Sequence, residues 1–151
     1  GLGALPLGLV REGMDAVVNE RGGTARRSRI HEASGRMAGK TGTSQVRRIT
    51  MAERARGVRT DADLPWNRRN HALFVAYAPA EAPRVALATV VEHGGGGSRA
   101  AAPIARDIMM RALWGSEPPL EAWPPSEREE IERERRAPPA ADSAGTERRR
   151  A

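Results

Sequence analysis

The residues best placed to do chemistry are Gly39-Lys40-Thr41-Gly42-Thr43. Lys40 is the only lysine; every other one of the 25 Lys and Arg residues is an arginine. With so much Ala, Gly and Pro beside it, this bias fits a GC-rich coding sequence in which Lys drifts to Arg wherever Arg serves. The retained lysine therefore marks a place where a guanidinium would not fit. An ammonium is a compact point charge on a thin stem, whereas a guanidinium is a wide planar fork. An ammonium flanked by the Thr41 and Thr43 hydroxyls suits a carboxylate through charge-assisted hydrogen bonds. Gly-Lys-Thr also ends the phosphate-binding loop G-x-x-x-x-G-K-[ST]. That loop would need its first glycine at position 34, which is Ser34, with Gly35 one residue too late. It would also need an apolar strand before it and a helix after it. An Arg-rich stretch precedes, and Thr41-Gly42-Thr43-Ser44 are poor helix formers, so the nucleotide reading is disfavoured.

These residues must be held by something. Residues 37–49 are rich in β-branched side chains and predict a strand. Period-two alternation then sends Lys40 and Gly42 to one face and Thr41 and Thr43 to the other. Before it, residues 9–19 predict a helix with Val10, Met14, Val17 and Val18 on one face, ended by Gly22-Gly23. Residues 26–36 are polar and ambiguous. Residues 52–70 form a charged excursion, with a short helix expected near 51–56. Residues 72–78 and the apolar run Val85–Val91 read as two strands. Only Pro79-Ala80-Glu81-Ala82-Pro83 and Arg84 lie between them, so an antiparallel hairpin is the simplest pairing. The continuous apolar run predicts a strand buried on both faces. After Gly94 to Gly97, residues 99–114 predict a helix, with Ser98 as its cap and Pro103 in its first turn.

Composition bounds the rest. The core-forming part is expected to span residues 1–114 and a Pro/Arg/Glu-rich, largely disordered tail residues 115–151. Within the tail, residues 126–136 could form a solvated helix with a Ser126/Glu129 capping box and Glu129–Arg133 and Glu132–Arg136 pairs. The chain opens on Gly and looks like a fragment; no signal peptide or membrane span is visible in it. With no cysteine there is no disulfide, thiol nucleophile or thiolate metal site. His31, His71 and His93 lack ligand spacing, so no metal and no cofactor is expected. The net charge of +6 invites a nucleic-acid reading, but the arginines are dispersed and aromatics for base stacking are scarce. A nucleic-acid partner is therefore only a remote alternative.

Lys40-Thr41-Gly42-Thr43 on a strand resembles the third motif, K-T-G-[TS], of the penicillin-binding proteins and serine β-lactamases. Asn70-His71-Ala72-Leu73-Phe74-Val75-Ala76-Tyr77-Ala78-Pro79 resembles the strand that follows the motif in class B penicillin-binding proteins. Residues 84–92, the glycine turn and Ala101-Ala102-Pro103-Ile104 resemble the next strand and the C-terminal helix. The short glycine turn after Glu92-His93 is most similar to the elongation-type penicillin-binding protein 2. The resemblance covers residues 9–113.

It implies a partial transpeptidase fold of class α+β: three antiparallel strands, a helix before them and a C-terminal helix. It also implies a peptidoglycan D,D-transpeptidase acting on the D-Ala-D-Ala stem peptide and trapped by β-lactams. Lys40 would be the catalytic pocket cation, Thr41 and Thr43 would bind the donor carboxylate, and Gly42 would give backbone access beside the Thr43 N–H. His71, Phe74 and Tyr77 read as packing positions and His93 as a surface residue at a strand end. The implied partner is a membrane peptidoglycan polymerase of the elongation machinery, at the periplasmic face of the bacterial inner membrane. The family's other motifs, S-x-x-K and S-x-N, are absent from these 151 residues. The chain alone is thus expected to be inactive, a C-terminal fragment lacking the nucleophile. A division-type or bifunctional relative, or a D,D-carboxypeptidase, remains the alternative.

Overall fold

A computed structural model describes residues 4–137. The first helix, α1, spans Ala4–Asn19. Its amphipathic face is buried only toward its C-terminal end. Val18 is fully buried, whereas Leu7, Leu9 and Val10 are exposed, because the sheet it packs on lies beside its last turns. Gly22 adopts a left-handed φ of 93°, a conformation that costs glycine little and ends the helix. The ambiguous stretch that follows resolves into two single-turn 3-10 segments, Arg26–Ser28 and Ala33–Gly35.

Three strands follow: β1 Ala38–Ser44, β2 His71–Ala78 and β3 Val85–Val91. They form one antiparallel sheet in the order β1-β2-β3. Strand β1 stops at Ser44 rather than reaching residue 49, because Ser44 pairs with His71, the first residue of β2. Beyond that point the chain has no partner strand. It leaves through the charged excursion, where α2, Met51–Arg56, is capped by the Thr50 hydroxyl. Arg47 grips Glu53 with two bonds of 2.6 Å. This hydrogen bonding is the main reason the Glu53 carboxyl is held down at about 2.

One face of the sheet carries Ala72, Phe74, Ala76 and Ala78, all buried, against Met109 and Met110 of α3, Ala101–Trp114. Strand β3 corrects its expectation. It alternates half-buried and exposed residues, with Ala86, Ala88 and Val90 exposed. The helices cover a single face, so only every second side chain meets them. Helix α3 begins two residues late, at Ala101 after Ala100, with no side-chain cap from Ser98; Pro103 does lie in its first turn, where its missing N–H is harmless.

After α3 the chain turns back on itself. The 3-10 turn Leu120–Ala122 buries Ala122 completely, and the Ala122 carbonyl accepts the His31 N–H at 3.0 Å. Trp123 packs against the core. Arg106, only 8% exposed in its side chain, lies 5.3 Å from the Trp123 ring centroid. It is paired with Asp107 at 2.8 Å and Glu127 at 3.0 Å. Such a buried guanidinium needs these carboxylates to offset its lost hydration. Helix α4, Arg128–Arg136, starts after Glu127 without the Ser126/Glu129 box and keeps the Glu132–Arg136 pair. Within the expected tail, residues 115–137 carry this 3-10 turn and helix; its remainder, residues 138–151, lies outside the described residues.

Candidate functional site

Lys40, Thr41, Gly42 and Thr43 sit side by side on β1, an outermost strand of the sheet. The register puts Lys40 opposite Val75 and Gly42 opposite Leu73, away from the core, and Thr41 opposite the buried Phe74. Lys40 and Thr43 are exposed, and Thr41 and Gly42 are half-buried. The Lys40 ammonium donates to the Thr41 carbonyl at 2.9 Å. The Thr41 hydroxyl shares a hydrogen bond of 2.9 Å with the Thr24 hydroxyl. A charged donor and hydroxyls are thus presented along one open strand, an arrangement that can take a carboxylate from solvent.

Glycines set how closely neighbours approach this strand. A Cβ on Gly39 would fall 2.5 Å from Phe74 Cζ, so the core closes tightly beneath it. A Cβ on Gly42 would stand 3.3 Å from Leu73 Cβ and 3.9 Å from the Leu73 carbonyl oxygen, so the cross-strand neighbour crowds this position as well. On the inner side the glycine turn before α3 lies flat on the strand. A Cβ on Gly97 would stand 2.6 Å from the Gly42 carbonyl oxygen and 2.2 Å from that of Leu73.

The strand is fixed at its start by α1. Asn19 Nδ2 donates to the Met37 carbonyl at 2.9 Å. Arg36 grips Asp15 through two bonds, of 2.8 and 2.6 Å. Hydrogen bonding from Arg36, opposed by partial burial and aided by its charge and by Asn19, holds the Asp15 carboxyl below its usual 3.8. A folded-state value below the unfolded one means stabilisation that is present above pH 3.8 and lost as pH falls through the depressed value. Asp15→Asn should therefore lower the melting temperature at pH 7 and lose that effect progressively as the pH is taken below 3.8. Melting curves of the two proteins from pH 7 to pH 2 check this; a constant gap would contradict the clamp.

Sequence reasoning missed Thr24, Asp15 and Arg36. Gly22-Gly23-Thr24 reads only as the end of a helix, and no local signal says which later strand the hydroxyl will meet. Phe74 is fully buried as expected, and His71 and Tyr77 are half-buried strand positions. His93 is corrected. It is half-buried, with a left-handed φ of 54°. Its N–H donates to His71 Nδ1 at 2.9 Å, its own Nδ1 donates to the Arg69 carbonyl at 3.0 Å, and its ring meets Trp66 edge-on. The tight turn into the glycines pulls it over β2. Among the described residues no group of three or more His, Cys, Asp or Glu could hold a metal ion.

The chain is similar to known proteins in sequence and in fold. Residues 7–110 match the model of the penicillin binding protein transpeptidase domain. The peptidoglycan D,D-transpeptidase MrdA of Haemophilus influenzae is 39% identical over 99 residues, covering 66% of this chain and 14% of the relative. MrdA of Escherichia coli is 33% identical over 107 residues, 71% of this chain and 16% of the relative. Among solved structures, Pseudomonas aeruginosa PBP2 in complex with WCK 5153 is 35% identical with a TM-score of 0.52, covering 72% of this chain and 19% of the other. Helicobacter pylori PBP2 in complex with MreC is 31% identical with a TM-score of 0.57, covering 75% and 18%. The chain therefore spans less than a fifth of each of these relatives. They are of the elongation type that the short glycine turn resembles. On its sequence, its strand order and these matches, the chain belongs to the penicillin-binding protein transpeptidase domain family.

Proposed function

We propose that this chain supplies one wall of the acyl-transfer site of an elongation-type peptidoglycan D,D-transpeptidase. The observation that carries the reading is the exposed Lys40 ammonium on an outer strand, in line with Thr41, Gly42 and Thr43. In this reading a serine outside these residues attacks the penultimate D-Ala carbonyl of a stem peptide. The terminal D-Ala leaves, and an amine of a neighbouring strand then takes the acyl group. Lys40 is the cation of the pocket, acting through its charge on the donor and on the developing negative charge. Thr41 and Thr43 bind the terminal carboxylate, and the Thr43 N–H is one oxyanion donor. Gly42 leaves room for the peptide to lie against the strand; a side chain there would already crowd Leu73, whose Cβ would stand 3.3 Å from the added Cβ. β-Lactams would occupy the same place as mimics of the donor.

The uncovered face of the sheet, with Lys40, Val75 and Val90 exposed, suits packing against the part of the enzyme that carries the serine. A membrane peptidoglycan polymerase, and a protein like the MreC in complex with the Helicobacter relative, are the partners this reading implies, at the periplasmic face of the inner membrane. Among the described residues no helix is long and apolar enough to cross a membrane.

A fluorescent penicillin tests the reading. The complete protein that carries this segment should be labelled covalently on a serine outside residues 1–151, and the 151-residue chain alone should take no label. An adduct on the isolated chain would overturn the placement of the nucleophile. A complete protein that resists labelling would overturn the function.

A further inference from the structure

A cavity of about 770 Å³ opens behind Thr24, lined by Thr24, Arg26, Arg27, Arg29, Arg99 and Glu127 among others. Its walls come from the loop after α1, the residues just before α3 and the returning segment before α4. Glu127 is the only carboxylate in the lining, and it is already committed to Arg106 at 3.0 Å. The four lining arginines therefore face the cavity without an acidic counterpart of their own. Arg26 is anchored by donating to the Asn19 carbonyl at 2.9 Å, and Arg29 lies along the His31 ring nitrogens at 3.3 Å. Arg27 and Arg99 are exposed and make no side-chain hydrogen bond or ion pair among the described residues. Burial and then the charges of Arg29, Arg128, Arg106 and Arg26 push His31 below its usual value, which agrees with a positive field there.

Like charges gathered in a concave site repel one another and raise the local concentration of anions. Guanidinium forks match a carboxylate in shape as well as charge. The cavity reaches the K-T-G-T strand through Thr24, which both lines it and hydrogen-bonds Thr41. We infer that it is a second anion subsite, taking an acidic side group of the same peptide whose terminal carboxylate β1 grips. The peptide's identity rests on the function proposed above; the subsite's charge does not. Nucleic acid fits less well, because no Trp, Tyr or Phe lines the cavity to stack a base.

The test is an amide-shift titration of the isotope-labelled 151-residue chain by NMR. Two peptides ending in D-Ala-D-Ala are compared, identical except that an internal acidic side group is free in one and amidated in the other. The free acid should bind about tenfold tighter and shift Thr24, Arg27 and Arg99 together with Thr41 and Thr43. The double variant Arg27→Gln/Arg99→Gln should lose that advantage and bind the amidated peptide as the parent does. Both arginines are exposed, so spectral dispersion should survive the change. Arg27→Glu/Arg99→Glu should reverse the preference. Equal affinity for the two peptides, equal losses for both in the variant, or no saturable shift at the cavity would overturn the subsite. Inorganic phosphate that saturates the same amides as tightly as the free acid would overturn the peptide as occupant. Shifts at Thr41 and Thr43 with the amidated peptide report separately on the proposed function.

Discussion

Gly97→Ala should destabilise the fold by about 3 kcal/mol or more, because the new methyl group has nowhere to go. Its Cβ would lie 2.2 Å from the Leu73 carbonyl oxygen, 2.6 Å from that of Gly42 and 3.0 Å from the Gly42 nitrogen. All three are backbone atoms of paired strands, which cannot yield as the end of a flexible side chain can. Relief requires lifting the turn off the sheet and with it the start of α3, whose first N–H groups bond the Gly97 carbonyl. The melting temperature should fall by about 10 °C. Gly96→Ala is the matched control. It has nothing within 4 Å of its Cβ and should change stability by less than about 0.5 kcal/mol. Denaturant midpoints of the three proteins decide the matter, and a Gly97 variant as stable as the control would show that the turn is not seated on the strand.

Lys40→Ala should do the opposite, sparing the fold and abolishing most of the chemistry. The side chain is exposed, and its one hydrogen bond is to the adjacent Thr41 carbonyl, so stability should move by less than about 0.5 kcal/mol. If the complete protein is the transpeptidase proposed above, its rate of acylation by a labelled penicillin should drop about 10²- to 10³-fold, as when a preorganised donor is removed from a developing charge. Lys40→Arg should also be impaired, because the broader fork cannot occupy the place of an ammonium. Near-normal acylation in either variant would remove the argument from the lone lysine.

The contrast between these two positions tracks what a sequence can disclose. The place of Lys40 on a strand was legible because β-branched neighbours mark the strand and alternation fixes which way the side chain faces. The hairpin from β2 to β3 was legible for the same reason, with two apolar runs and a short link. Gly97 was seen as part of a flexible turn, but nothing near it in sequence says that Gly42 and Leu73 lie under it. The Thr24–Thr41 and Asp15–Arg36 contacts join residues 17 and 21 apart, and their partners are chosen by packing rather than by local pattern. The apolar run Val85–Val91 misled because hydrophobicity reports that a face could be buried, while the number of helices available decides how many faces are.

The matched transpeptidase region stops at residue 110, yet Ala122 is sealed inside the molecule and Trp123 rests under the Arg106 guanidinium. The strip after the last long helix behaves like a latch, holding its buried arginine and the loop at His31 in one grip. Whatever frees that latch also strips the arginine of its Glu127 counter-ion and releases the His31 N–H from the Ala122 carbonyl, so the segment before α4 and the wall of the basic hollow come apart together.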